Sequence, residues 1–346
     1  MAVCGGKAAL VASCMAFGSA ISRRNMSGMI SSVRTGVTAA LWKKRYELEQ
    51  YKVGATKPQK VLVDKAPSDS HMSIELRVAT DPAIRDQYLN FRGGVQFGKL
   101  LEDVDAFAGN IAFLHCDDAN AETKQHRLVT ACVDRLDLHA PITLGMEDLV
   151  LVGEVGWAGR SSLQIDVQLL PKGESKSLPA GQAFARGHVV FVSVGEDGKG
   201  VEINPLIPKT PEEQHNFAYG KTMNAKRKEM RAQSLERTAP REEERELLHA
   251  VMMTGAPPSS MPLAHTALQS IHVMQPQERN RAGNIFGGFL MNKAYEVAFA
   301  TASQFAVAHG GAPTVFSLDD VSFSKPVKIG DVICFSSAVV YTGAHE

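Results

Sequence analysis

Asn284-Ile285-Phe286-Gly287-Gly288 opens a segment that runs to about His309 and is rich in Ala, Val and Phe. A second segment of the same kind opens 194 positions earlier, at Asn90-Phe91-Arg92-Gly93-Gly94, and runs to His115. Aligned without a gap, the two share Asn90/Asn284, Gly93/Gly287, Gly94/Gly288, Lys99/Lys293, Glu102/Glu296 and His115/His309. Alanines also coincide, at Ala106/Ala300, Ala108/Ala302 and Ala112/Ala306, but alone they would carry little weight. The Asn, the paired glycines, the Glu and the His at one offset predict two copies of one module.

The spacing has a physical meaning. Paired glycines let a backbone approach another group closely, and at a helix start they leave N–H groups without intrahelical partners. Such groups suit a developing negative charge. In both copies the Glu lies eight residues past the second glycine, a little over two helical turns. It therefore stands on the flank of a helix that is apolar on most sides. A carboxylate there is either functional or snorkels at the helix edge. The Asn is either a site residue or a helix cap. His115 and His309 end their segments, where a cation suits the helix dipole, and are assigned to structure. His188, within a strand-like run, is read as a satisfied core residue.

The chain has 346 residues, 44% of them apolar, enough for one large or two ordinary domains. A formal net charge of zero argues against a nucleic-acid partner. Cys4, Cys14, Cys116, Cys132 and Cys334 are scattered, without Cys-x-x-Cys spacing, which points to no disulfide framework and no metal site. Gly-x-Ser-x-Gly does not occur, which removes a serine elbow.

Residues 1–46 contain no Asp or Glu and carry seven Lys or Arg among many Ser, Ala and Gly, the composition of a mitochondrial transit peptide and flexible leader. Residues 71–79 alternate as a strand before the first glycine segment, and strand-like runs follow at 128–138, 149–157, 163–170 and 183–194. One long apolar helix followed by a meander predicts an α+β module with the helix packed on one face of an antiparallel sheet, over 70–195. Residues 196–262 form a Pro-bounded connector whose charged stretch, including Lys226-Arg227-Lys228, reads as solvated helix. The second module, 263–346, has strands at 266–273, 314–324 and 331–341, with Lys325-Pro326 where the first has Ala140-Pro141. Two strands of the first module have no counterpart after residue 341, which predicts an unpaired sheet edge.

With these residues the chain resembles the tandem hotdog acyl-CoA thioesterases, and among them the mitochondrial acyl-CoA thioesterase 9 type. The resemblance covers roughly 70–346. It implies two hotdog domains, each an antiparallel sheet wrapped around a long central helix. It implies hydrolysis of acyl-CoA to a free acid and CoA in mitochondria, with no cofactor beyond the CoA of the substrate. Partners would be the acyl-CoA itself and further copies of the chain, with peripheral contact to the inner mitochondrial membrane. Carried over, the site would pair the Asn of one module with the Glu of the other: Asn90 with Glu296, and Asn284 with Glu102. Gly94 or Gly288 N–H would polarise the thioester carbonyl, and Arg160 and Ser161 would touch the substrate, although a plain turn accounts for them equally well. Arg92 departs from the usual form of the motif. The competing readings are another hotdog enzyme of the hydratase kind, disfavoured because its Asp is replaced by Asn, and a non-catalytic acyl-CoA binder or inactive truncated form.

Overall fold

The computed structural model describes residues 36–52, 54–59, 61–175, 177–233, 238–255, 260–308 and 310–343, and residues 2–4 and 8–17 by backbone alone. In chain order the elements are β1 (Ala2–Cys4), β2 (Ala8–Phe17), α1 (Gly36–Glu49), β3 (Met72–Leu76), α2 (Pro82–Tyr88), α3 (Phe97–Cys116) and β4 (Leu128–Leu138). Then follow β5 (Leu149–Ala158), β6 (Ser162–Pro171), β7 (Ala185–Ser193), α4 (Pro211–Ala232), α5 (Glu242–Thr254) and α6 (Leu263–Thr266). The chain continues with β8 (Leu268–Val273), α7 (Gly287–Ala308), β9 (Thr314–Ser322) and β10 (Val332–Thr342).

One antiparallel sheet runs β3-β5-β6-β7-β4-β9-β1-β2-β10-β8. Its two halves mirror each other in connectivity about the β4–β9 pair, where Val133 stands opposite Val321 and Leu136 opposite Leu318. The first half wraps α3 and the second wraps α7, so the fold is α+β with two hotdog modules. Period-two alternation sends Leu163, Ile165, Val167 and Leu169 of β6 inward, each at most 2% exposed. There they meet a helix whose Phe107, Ile111 and Ala112 are fully buried. The helix is buried nearly all round, as its composition predicts.

Three expectations need correction. The β10 edge is not unpaired: β2 runs along it from Val332↔Phe17 to Thr342↔Ala8, and β1 lies between β2 and β9. Segments from the leader thus occupy the two strand positions that β6 and β7 hold in the other half. Nor is the leader loose up to residue 46. The helix α1 buries Val37, Thr38 and Leu41 against the first module, and Asn110 donates to Leu41 O at 3.0 Å. The connector helix α4 is also not simply solvated. It starts with a Thr210/Glu213 capping box and lays Gly220 against Trp157, where a Cβ would come within 2.4 Å of the Trp157 side chain. Arg227 pairs with Asp134 of β4. His188 is half-buried on β7 and pairs with Asp166 at 2.7 Å, outside the apolar core. Among the described residues Cys116, Cys132 and Cys334 are free thiols.

Asp103 ties α1 and α2 to α3. Its carboxylate accepts hydrogen bonds from Thr38 Oγ1 and Tyr88 Oη, both at 2.5 Å. Burial pushes its pKa up to about 6, against the lowering effect of those two donors. A folded-state pKa above the unfolded value of about 3.9 means the folded chain holds this proton more tightly. The stability it adds is complete below about pH 4 and is lost as pH rises through about 6. Asp103→Asn should remove this dependence: between about pH 4 and pH 7 the wild type should lose about 2 kcal/mol relative to the variant in urea unfolding.

Candidate functional site

The loop before each long helix is built the same way. Asn280 N–H donates to Asn284 O at 2.6 Å, Asn280 Oδ1 accepts Asn284 N–H at 3.1 Å, and Gly283 takes φ +80°. In the first module Asn90 N–H donates to Gly94 O at 2.8 Å, Asn90 Oδ1 accepts Gly94 N–H at 3.0 Å, and Gly93 takes φ +81°. Both tight turns need a left-handed residue that glycine supplies at least cost. The structural counterparts are therefore Asn90/Asn280, Gly93/Gly283 and Gly94/Asn284, which are 190 residues apart. The gapless offset of 194 is out of register by four residues. Four residues is close to one helical turn, so the shifted alignment still superposes like faces.

The corrected register explains how the two helices meet. Gly98 of α3 corresponds to Gly288 of α7, and each lies against the other helix. A Cβ on Gly288 would be 2.8 Å from Glu102 Cα, and one on Gly98 would be 1.9 Å from Asn292 Oδ1. Only glycine allows this approach. It carries the N-terminus of each helix to the flank of its partner.

At the start of α7 that flank presents Asp105. Its Oδ2 accepts the Gly288 N–H at 2.7 Å and its Oδ1 accepts the Thr130 hydroxyl at 2.7 Å. The residue is 2% exposed. A buried carboxylate is tolerated here because a helix N-terminus supplies donors and a favourable dipole. Two pockets meet at Thr130, Asn280 and Gly287. One, of about 100 Å³, is bordered by Asp105, Trp42 and Phe286. The other, of about 360 Å³, is bordered by Asn284, Arg127 and Lys325. Among the described residues neither the Asn284 side-chain amide nor the Gly287 N–H has a hydrogen-bond partner. A buried carboxylate and two free donors converge on one helix start.

No family model matches the chain. Acyl-coenzyme A thioesterase 2, chloroplastic, of Humulus lupulus is 35% identical over 323 residues, covering 90% of this chain and 73% of that protein. The chain belongs to the acyl-CoA thioesterase family. Acyl-coenzyme A thioesterase 9, mitochondrial, of Mus musculus is 33% identical over 300 residues, 83% of this chain and 67% of that protein. Among solved structures, an acyl-CoA hydrolase of Staphylococcus aureus in complex with butyryl coenzyme A aligns with TM-score 0.40 at 21% identity, covering 56% of this chain and 99% of that one. A putative oleoyl thioesterase of Lactobacillus plantarum aligns with TM-score 0.45 at 10% identity, covering 80% and 97%.

Of the residues singled out in the sequence, Asn284 and Gly288 stand at this site. The Gly288 N–H is spent on Asp105, which leaves Gly287 as the available backbone donor. Glu102 does not join Asn284: it is buried between the helices, accepting from Asn292 Nδ2 at 2.7 Å and from Lys99 Nζ at 3.1 Å. Asn90 and Glu296 do border one cavity, of about 550 Å³. Asn90, however, is consumed by its own loop, with Nδ2 donating to Val95 O at 2.9 Å, and Glu296 pairs with Lys293 at 2.8 Å. The Gly94 N–H is likewise taken, by Asn90 Oδ1. Arg160 and Ser161 form the β5–β6 turn, where their carbonyls accept from Ile203 and Ser193 N–H, and neither borders any of the three pockets. His115 is not a helix-end cation: burial pushes its pKa down to about 4, and Nε2 meets Asn204 O at 2.8 Å. His309 lies outside the described residues.

Asp105 escapes a search for repeated residues because its counterpart is Tyr295, not an acid. The signal available was an acid in the middle of an all-buried helical run, Val104-Asp105-Ala106-Phe107-Ala108. A Cβ added at Gly287 would sit 2.9 Å from Asp105 Oδ2 and 3.5 Å from Thr130 Cβ. Gly287→Ala should therefore displace the carboxylate, lower kcat for acyl-CoA about 10²-fold and, because the buried charge is less well satisfied, lower the thermal unfolding midpoint.

Proposed function

We propose that this chain hydrolyses acyl-CoA thioesters at a single composite site formed by Asp105 and Thr130 of the first module with Asn284 and Gly287 of the second. The observation that carries this reading is the buried Asp105 carboxylate, held on the Gly288 N–H beside two unspent donors. Thioester hydrolysis needs an oxygen nucleophile and donors for the oxyanion. Asp105 serves as general base toward water or as the nucleophile itself, with Thr130 orienting it. The Gly287 N–H and Asn284 Nδ2 polarise the carbonyl as negative charge develops on its oxygen. Arg127 and Lys325, exposed at the rim of the adjoining pocket, suit the phosphates of CoA. The acyl carbon leaves as a carboxylate and the sulfur as the CoA thiol. Every role is filled by a side chain or backbone group, so the reading invokes neither cofactor nor metal.

The mirrored position does not support the same chemistry. There the carboxylate is replaced by Tyr295 and the free amide by Gly94. The basic, acid-free leader and relatives named as mitochondrial support import into mitochondria. Processing before Gly36 would spare α1, which packs on the first module, but would remove β1 and β2 and uncover the β10 edge. Assembly into a homo-oligomer belongs to the same reading.

Thiol release from acyl-CoA tests the site. Asp105→Asn should lower kcat about 10²–10⁴-fold and Asn284→Ala about 10²–10³-fold. Asp105→Asn combined with Asn284→Ala should fall short of the product of the two, because both disable one centre. Glu296→Gln and Asn90→Ala should stay within about threefold of wild type, as neither touches the reacting groups. Turnover retained by Asp105→Asn would sink the assignment.

A further inference from the structure

The cavity of about 550 Å³ bordered by Asn90 and Glu296 is the mirror image of the two pockets at Asp105. The corrected register shows how it has changed. Tyr295 stands where Asp105 stands, Gly94 where Asn284 stands, and Phe97 where Gly287 stands. The β9 strand presents Val315 and Phe316 where β4 presents Thr130, and Ala140 replaces the cation Lys325. The carboxylate, the hydroxyl, the side-chain amide and the lysine able to meet a CoA phosphate are all absent here; of the groups assigned at Asp105, only a backbone N–H, that of Phe97, has a counterpart.

The space itself has not closed. Its volume falls within the range of ligand pockets, about 300–1,000 Å³. Phe97, Tyr295, Phe299 and Phe91 form a continuous aromatic wall, with successive ring centroids 5.4, 5.8 and 6.2 Å apart. At its mouth Phe91 is 78% and Phe316 52% exposed, an unusual amount of aromatic surface to leave in water. One permanent cation, Arg92, stands there, and His139 also borders the cavity. The Arg92 guanidinium lies 5.0 Å from the Phe91 ring centroid and 5.7 Å from that of Phe299, donates one hydrogen bond to Pro313 O at 2.8 Å, and has no carboxylate partner among the described residues. Among the described residues bordering the cavity, Glu296 is the only carboxylate, and it is occupied by Lys293.

We propose that this cavity is a non-catalytic binding site for a long-chain carboxylate, with the alkyl chain along the aromatic wall and the carboxylate at Arg92. A cavity with an aromatic wall and a guanidinium that no carboxylate pairs among the described residues suits an apolar molecule with a single anionic head, and the lack of the lysine disfavours a polyphosphate. The choice of a fatty carboxylate among apolar anions rests on the proposed function, because hydrolysis at the Asp105 site would release that class of molecule. The cavity and its cation do not depend on that reading.

Oleate, kept below its micelle concentration, is the probe, titrated calorimetrically into the full chain. One oleate should bind per chain, and Asp105→Asn should bind it with unchanged affinity. Ala140→Trp, which fills the cavity, and Arg92→Gln, which removes the cation, should each weaken binding at least tenfold at an unchanged thermal midpoint. Arg92→Gln keeps the test decisive if Ala140→Trp fails to fold. Binding that survives Arg92→Gln, or that is lost with Asp105→Asn, overturns the proposal, as does no binding at all. If oleate binding depends on Arg92 while the chain releases no thiol from acyl-CoA, the thioesterase reading fails and the carboxylate site stands.

Discussion

The close approach of α3 and α7 is the constraint on which the rest depends. Two glycines, Gly98 and Gly288, remove the side chains that would hold the helices apart. With the axes this close, the first N–H groups of α7 reach a side chain that belongs to the other module. Asp105 can then be buried with its charge satisfied by the Gly288 N–H, a desolvation that would otherwise be costly. The same approach holds Glu102 against Asn292, while the sheet runs from one module into the next through β4 and β9.

The chain has two such helix starts, and they carry different groups. One carries a carboxylate, a hydroxyl, a free amide and a backbone donor. The other sets Phe97, Tyr295 and Phe316 around a cavity. A composite centre needs several groups placed together. An aromatic wall needs only bulk and apolarity.

Much of this fold was legible in the residues. Alternation in 163–170 placed Leu163, Ile165, Val167 and Leu169 on one inward face, and the apolar run after each glycine pair marked a buried helix. The repeat was legible too, but its register was not. A slip of four residues moves every helical position by nearly one turn, so glycines, lysines and glutamates continued to match. That slip turned Gly94 into a false partner of Gly288 and made Glu102 and Glu296 look like paired acids. Only the turn hydrogen bonds, Asn90 to Gly94 and Asn280 to Asn284, reveal the true correspondence.

The sequence by itself determined the α+β class, the two modules, and the importance of the stretch from Asn284 to Gly288. These follow from local periodicity and from the conformational freedom of glycine, which are properties of neighbouring residues. It could not determine which carboxylate meets that stretch. Asp103, Asp105 and Glu102 all lie within one turn of α3, and they differ only in direction: Asp103 faces Thr38 and Tyr88, Glu102 faces Asn292, and Asp105 faces Gly288. Those directions are set by the helix's rotation against elements far away in the chain. The tertiary structure alone decided them, because a charge that must be buried takes whatever donors the packing brings to it.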